Sequence, residues 1–287
     1  MFKNINYVNC KSLESVFEYI NNPALKCCIL AGGTDVITGI RNESNRFNKL
    51  DYIVDLKNVS EVHKIEEFDD YFLVGAFVTF SEIIDNEKIK NEFPLLIDAI
   101  KRIGNLQVRN RATIGGNIVN CAPCADSVPP LLVYDAKFII KSKDEENELL
   151  LSDFLISPYK TKLKSNELLC YIKIPKNKEK LTGTFQKLGK RKGVAISRIS
   201  LAVLIKITNG KLETIKFASG AITPIASRFY NVEQKYVGNK FGDEEIKAFT
   251  FDVASEILSK TGIRWSYPYK LPVFQQLLFC EIKKLIL

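Results

Sequence analysis

Apolar residues along this chain recur in two patterns: a helical spacing of three and four, and short runs or alternations of strand type. Behind an N-cap serine at Ser12, the segment to Ile20 sets Leu13, Val16, Phe17 and Ile20 on one helical face. The run from Lys26 to Ala31 is short and almost continuously apolar, as a buried strand requires, and it ends in Gly32-Gly33. A second strand at Tyr52–Leu56 completes a small βαβ-like unit. Val62, Ile65, Phe72, Val74, Ala76 and Val78 predict two further strands finishing at Thr79, with a helix starting at Ser81. From Pro94, the face Leu95, Leu96, Ala99, Ile100 and Ile103 predicts a helix stopped at Gly104-Asn105.

Downstream, Val128–Tyr134 reads as a short helix begun by proline, Ala136–Lys141 as a strand and Ser142–Asn147 as a charged hairpin tip. Glu167–Pro175 reads as a strand closed by proline, and the polar run Lys176–Lys180 is the best boundary candidate in the chain. Beyond it, Thr184–Leu188, Ile199–Ile207 and Leu212–Ala218 predict three antiparallel strands, the last two joined by an Asn209-Gly210 turn. Two or three helices follow, including 243–260 and 272–286. The fold class is α+β, with segments expected at 1–57, 58–176 and 177–287.

Composition narrows the class. At 287 residues, 46% hydrophobic and 26% charged, the chain is globular and large enough for several subdomains. No window approaches the roughly 18 consecutive apolar residues of a membrane helix, and the opening Met1–Tyr7 lacks the basic and apolar regions of a signal peptide. Seven cysteines without such a signal point to reduced thiols, so a cytoplasmic protein is expected. The net charge of +8 is spread among interleaved acidic residues, without a stripe or motif that reads nucleic acid.

The candidate chemistry lies in two glycine pairs. The first is Ile29-Leu30-Ala31-Gly32-Gly33-Thr34-Asp35-Val36; the second is Thr113-Ile114-Gly115-Gly116-Asn117, with Asp126 downstream. Glycine lets a ligand approach backbone amides closely, and flanking Thr and Asn add short hydrogen-bonding groups, which suits phosphate. Each pair alone is equally a tight turn between a strand and its successor. Two phosphate-sized turns in one chain suggest a shared diphosphate. The Rossmann fingerprint is absent, and so is a P-loop, since Arg191 stands after Gly189-Lys190 where Ser or Thr would hold magnesium.

Taken together, these loops resemble the flavin-binding subunit of the molybdenum hydroxylases, the family of xanthine, carbon monoxide and nicotinate dehydrogenases, over essentially the whole chain. The resemblance implies a two-part FAD-binding domain followed by a C-terminal flavoprotein domain with a three-stranded sheet and a helical bundle. It places the diphosphate on Gly32, Gly33, Gly115 and Gly116, helped by Thr34, Thr113 and Asn117 and with Asp35 beside the loop. It places the adenosine ribose at Asp126, apolar walls at Ile29, Leu30 and Leu169, and a cation, Lys187, near the isoalloxazine. Such a subunit takes electrons from a [2Fe–2S] small subunit, fed by a molybdenum cofactor on a large subunit, and passes them through FAD to an acceptor, expected to be NAD⁺. A purine-hydroxylating complex of the xanthine dehydrogenase type is the first expectation, with nicotinate, carbon monoxide and other aromatic or aldehyde hydroxylases as alternatives.

The remaining reactive residues add little. Cys121 and Cys124 form a C-x-x-C with no second pair spaced to complete a metal site, so they read as packing. This also speaks against the benzoyl-coenzyme A reductase branch, whose flavin subunit carries a cysteine-rich insertion. His63, the only histidine, lies far in sequence from both glycine pairs and reads as a surface imidazole, so the flavin is expected to be non-covalent. A free-standing flavin oxidase, which would need an acid–base group, and a basic interaction module are the rival readings.

Overall fold

In a computed structural model, residues 5–191 and 193–287 are described; Met1–Asn4, on which the signal-peptide reading partly rests, lie outside them. Two compact units form, one from the chain up to Asn91 with Gly104–Cys121 and Ala136–Lys176, the other from Glu92–Ile103, Ala122–Asp135 and Asn177–Leu287. The chain makes its last passage between them after Lys176.

In the first unit, β1 (Asn6–Asn9), α1 (Leu13–Ile20), β2 (Cys27–Leu30), α2 (Val36–Arg41) and β3 (Tyr52–Asp55) build a parallel sheet in the order β1-β3-β2. β1 has no counterpart in the hydrophobic pattern because its residues are half-buried at best. The start of α1 is closed by a capping box between Ser12 and Ser15, which satisfies two otherwise orphaned amides. Parallel pairing brings the carboxyl ends of β2 and β3 to the same edge, the usual place for a ligand beside such strands.

A second sheet of this unit is mixed in sequence and antiparallel in pairing. Its strands β4 (Ile65–Glu67), β5 (Tyr71–Gly75), β6 (Lys137–Lys141), β7 (Glu146–Leu150) and β10 (Leu168–Pro175) run in the order β4-β5-β10-β6-β7. β5 stops at Gly75 and not at the expected Thr79, because Ala76–Val78 turn away to offer their carbonyls to a later helix. Thr79 then caps α3 (Phe80–Asp85) through a box with Glu82. After α4 (Glu87–Glu92), α5 (Pro94–Lys101) belongs to the second unit, and α6 (Leu106–Arg109) and α7 (Ile114–Asn120) return to the first. α8 (Val128–Val133) is again in the second; α9 (Leu151–Phe154) and the short pair β8 (Leu155–Ser157) and β9 (Lys160–Thr161) complete the first.

The second unit is built on an antiparallel sheet, β11 (Thr182–Gly189), β12 (Ser197–Thr208), β13 (Lys211–Gly220) and β14 (Ser227–Arg228), in sequential order. The three expected strands are thus joined by a two-residue fourth. Asn209 and Gly210 both take positive φ, 52° and 73°, the pairing that a tight hairpin needs. One face of the sheet packs on α10 (Tyr230–Tyr236), α11 (Asp243–Thr261) and α12 (Tyr267–Ile286) through a core that includes Phe217, Phe229, Phe249 and Phe274. α12 starts before the expected Pro272 because Pro268 already sits in its first turn, and Pro272 is carried inside it. Among the described residues, no helix is long and apolar enough to cross a membrane.

Candidate functional site

Both glycine pairs fall in the first unit, and they interlock. A Cβ built on Gly32 would stand 1.9 Å from the carbonyl oxygen of Arg111 and 2.9 Å from Cα of Ala112, directly before the second turn. One on Gly116 would stand 3.5 Å from Cβ of Ala31 in the first turn. Gly32 therefore permits backbone to lie on backbone, and the two turns are in contact.

They differ in what that surface offers. In the second turn, Ile114 donates to Val78 O (3.1 Å), Gly115 to Ala76 O (2.8 Å), Gly116 to Oγ1 of Thr113 (3.0 Å) and Asn117 to Thr113 O (3.0 Å). Of the amides expected as phosphate donors, that of Gly115 is engaged by the turn after β5 and that of Gly116 by the N-cap hydroxyl of Thr113. In the first turn, Gly33 has a φ of 74°, and the amides of Gly32, Gly33, Thr34, Asp35 and Val36 find no acceptor among the described residues. Successive unpaired N–H groups around a left-handed residue make an anion-binding concavity. The first turn thus keeps free donors, and the second packs against it.

Side chains extend that support. Asp35 does not cap α2; its Oδ1 accepts from Nδ2 of Asn120 at 3.1 Å, which ties the first turn to the last residue of α7. Oδ1 of Asn120 accepts in turn from Nη2 of Arg46 at 2.7 Å, and that guanidinium lies 4.4 Å over the ring of Tyr159. Sequence reasoning missed Arg46 and Asn120, since residues so far apart carry no local pattern. Thr34 keeps its hydroxyl at the turn, 3.5 Å from Oδ2 of Asp35, while Thr113 is buried as the N-cap of α7. Of the expected apolar walls, Leu30 and Leu169 are buried and Ile29 is half-buried. Leu169 lies beside a bulge in β10, and the carbonyl of Cys170 there accepts from Ala76 at 2.8 Å.

The second unit holds the remaining expected residues. Asp126 is only 3% exposed; Oδ2 meets Nζ of Lys187 at 2.7 Å, and Oδ1 accepts from Ser197 Oγ at 2.5 Å. Nζ of Lys187 also donates to Arg102 O at 2.9 Å. Burial raises the Asp126 carboxyl above its ordinary pKa, against the pull of Lys187, Ser197 and Arg102. Asp126 and Lys187, expected to serve different parts of a ligand, are partners of each other. His63 is not simply a surface imidazole: half-buried, its Nε2 lies 3.0 Å from Leu56 O, and its ring packs on Phe77. Cys121, in the left-handed conformation at the end of α7, donates through Sγ to Ser157 O, and burial raises its pKa.

Residues 3–177 match the family model for the FAD binding domain in molybdopterin dehydrogenase, and residues 184–285 match that for the CO dehydrogenase flavoprotein C-terminal domain. The chain belongs to this family. It is an oxidoreductase chain of the type formed by the FAD subunits of xanthine and carbon monoxide dehydrogenases. It is 30% identical over 278 residues to the xanthine dehydrogenase FAD-binding subunit of Escherichia coli O157:H7, covering 96% of this chain and 94% of that one. It is 28% identical over 280 residues to the glyceraldehyde dehydrogenase medium chain of Sulfolobus acidocaldarius, covering 97% of each. The fold is that of a chain of carbon monoxide dehydrogenase from Hydrogenophaga pseudoflava, with a TM-score of 0.90 at 23% identity over 99% of this chain and 98% of that chain.

Proposed function

We propose that the chain binds FAD without a covalent link, with the diphosphate seated on the amides from Gly32 to Val36 and the hydroxyl of Thr34. The unspent donors of that turn carry the reading, because a dianionic group is stabilised by several oriented N–H dipoles at once. Gly115 and Gly116 act by letting α7 close behind the turn, and Ile29, Leu30 and Leu169 by supplying apolar walls.

Bound FAD would supply the redox chemistry, and the chain would stand between a [2Fe–2S] small subunit, itself fed by a molybdenum-bearing large subunit, and the terminal acceptor, for which NAD⁺ is proposed. The organic substrate is oxidised on the large subunit. A purine is the substrate class we favour, on the strength of the 30% identity to a xanthine dehydrogenase FAD-binding subunit. Loading the purified chain with FAD, desalting it and recording its absorption spectrum tests the cofactor assignment. Retained flavin bands in the wild type and their loss in Gly32→Val are expected; a colourless wild type would sink the proposal.

A further inference from the structure

The first turn carries a charge that an anionic ligand would meet. Asp35 contributes its backbone N–H to the row of free amides, yet its carboxylate stands at the same turn, and no cation lies within salt-bridge reach of it among the described residues. A carboxylate beside an anion site weakens binding unless a positive charge offsets it. The one link from Asp35 to a cation is Asn120, whose Nδ2 donates to Asp35 Oδ1 at 3.1 Å and whose Oδ1 accepts from Nη2 of Arg46 at 2.7 Å.

Arg46 is held in place from several sides. It sits in the single turn Asn45–Phe47, whose N-cap Ser44 accepts from the Arg46 amide through Oγ at 3.4 Å. The guanidinium lies 4.4 Å from the ring centre of Tyr159 and 5.3 Å from that of Phe47. Phe47 is pressed on α2, the helix that follows the first turn: a Cβ on Gly39 would stand 2.3 Å from its ring. Tyr159, at φ 62° between β8 and β9, donates its N–H to Cys121 O at 2.9 Å. Two rings and one amide thus hold the guanidinium. Asn120 is the one acceptor that its five N–H groups have among the described residues, and no carboxylate neutralises it there. Arg46 is exposed, so its remaining donors are open to solvent. Its field also reaches Cys28 in β2, where it opposes the rise that burial causes in the thiol pKa.

We propose that Arg46 is a cofactor-binding residue, whose free guanidinium edge takes a phosphate oxygen of the FAD diphosphate and whose charge offsets Asp35. The inference rests on the FAD reading above, and it adds a full positive charge where that reading has only backbone dipoles. Oriented amides fix the position of an anion; a guanidinium adds a charge-assisted, forked contact that a neutral donor does not supply. Asn120 and Tyr159 are positioning residues, since they set where that fork stands.

The test titrates the apoprotein with FAD, ADP and riboflavin over a range of salt, in wild type, Arg46→Gln, Arg46→Lys and the double variant Asp35→Asn, Arg46→Gln. Arg46→Gln should weaken FAD and ADP by the same factor, roughly tenfold or more, the range of a hydrogen bond to a charged group. Riboflavin, which has no phosphate, should bind as it does to wild type. Screening weakens a contact between full charges, so the fall of FAD affinity with added salt should be shallower in Arg46→Gln and retained in Arg46→Lys. Adding Asp35→Asn should restore part of what Arg46→Gln loses, because the uncompensated carboxylate is gone. Equal losses for FAD and riboflavin, or a salt dependence that Arg46→Gln leaves unchanged, would overturn the proposal and leave Arg46 a structural tie. So would a lowered NAD⁺ affinity of the FAD-loaded chain with FAD affinity intact. A wild type that binds no FAD fails the FAD reading itself, whereas a wild type that binds FAD no better than Arg46→Gln does fails only the inference.

Discussion

Gly32 and Arg111 are in backbone contact: any Cβ at position 32 would stand 1.9 Å from the Arg111 carbonyl oxygen. That closeness makes two sequence-distant turns one structure, and it sets the expected cost of disturbing them. Gly32→Ala should destabilise the chain by roughly 1–3 kcal/mol, the usual penalty of overpacking against an unyielding neighbour. A urea melt would report it, and the variant should lose bound FAD on desalting. Full stability with unchanged flavin retention would show that the contact does not shape the site.

Asn120 joins Asp35 to Arg46 by side-chain hydrogen bonds of 3.1 and 2.7 Å. Removing it leaves the first turn without its tie to α7. We expect Asn120→Ala to weaken FAD binding about fivefold, equivalent to about 1 kcal/mol for a lost hydrogen bond, with the flavin spectrum unchanged. Fluorescence titration of the apoprotein gives the number.

Asp126 should make the protein less stable as pH rises. Its folded pKa is raised above the ordinary 3.8 by burial, so the folded state holds the proton more tightly than the unfolded state does. That contribution is fully present below the unfolded pKa and is lost as pH climbs from there through the raised value. Denaturant melts between pH 3.5 and about 7 should show this downward component in wild type and lack it in Asp126→Asn. A parallel pair of pH profiles would remove Asp126 as the cause.

Cys170 is completely buried and its thiol is pushed up to about 12, while burial pushes Cys28 up to about 11. Alkylation requires the thiolate, so both should stay unlabelled when the native protein is treated with iodoacetamide at pH 8, and both should label in denaturant. Mass spectrometry of the digested protein reads this directly. Rapid native labelling of Cys170 would mean that the turn after β5, which its carbonyl holds, opens readily.

The order of elements was legible because burial on one face imposes a period. Ser12, Leu13, Val16, Phe17 and Ile20 announce α1 and its cap, and the alternation around Asn209-Gly210 announces the β12–β13 hairpin. β1 was not legible, since Asn6–Asn9 gain their place from pairing with β3 and not from apolar content. β5 was read too long because Ala76 and Val78 are apolar yet serve as acceptors for Gly115 and Ile114, a demand set by residues much later in the chain.

The sequence by itself determined the two glycine turns, their small polar flanks and the family they mark, because glycine, Thr and Asn at fixed local spacing are a local chemical statement. Only the tertiary structure decided which turn keeps free amides, that Asp126 pairs with Lys187, and that Arg46 and Asn120 stand behind Asp35. The physical reason is that a hydrogen bond is a property of two atoms in space. A donor in the sequence becomes a binding group only where folding brings no acceptor to meet it.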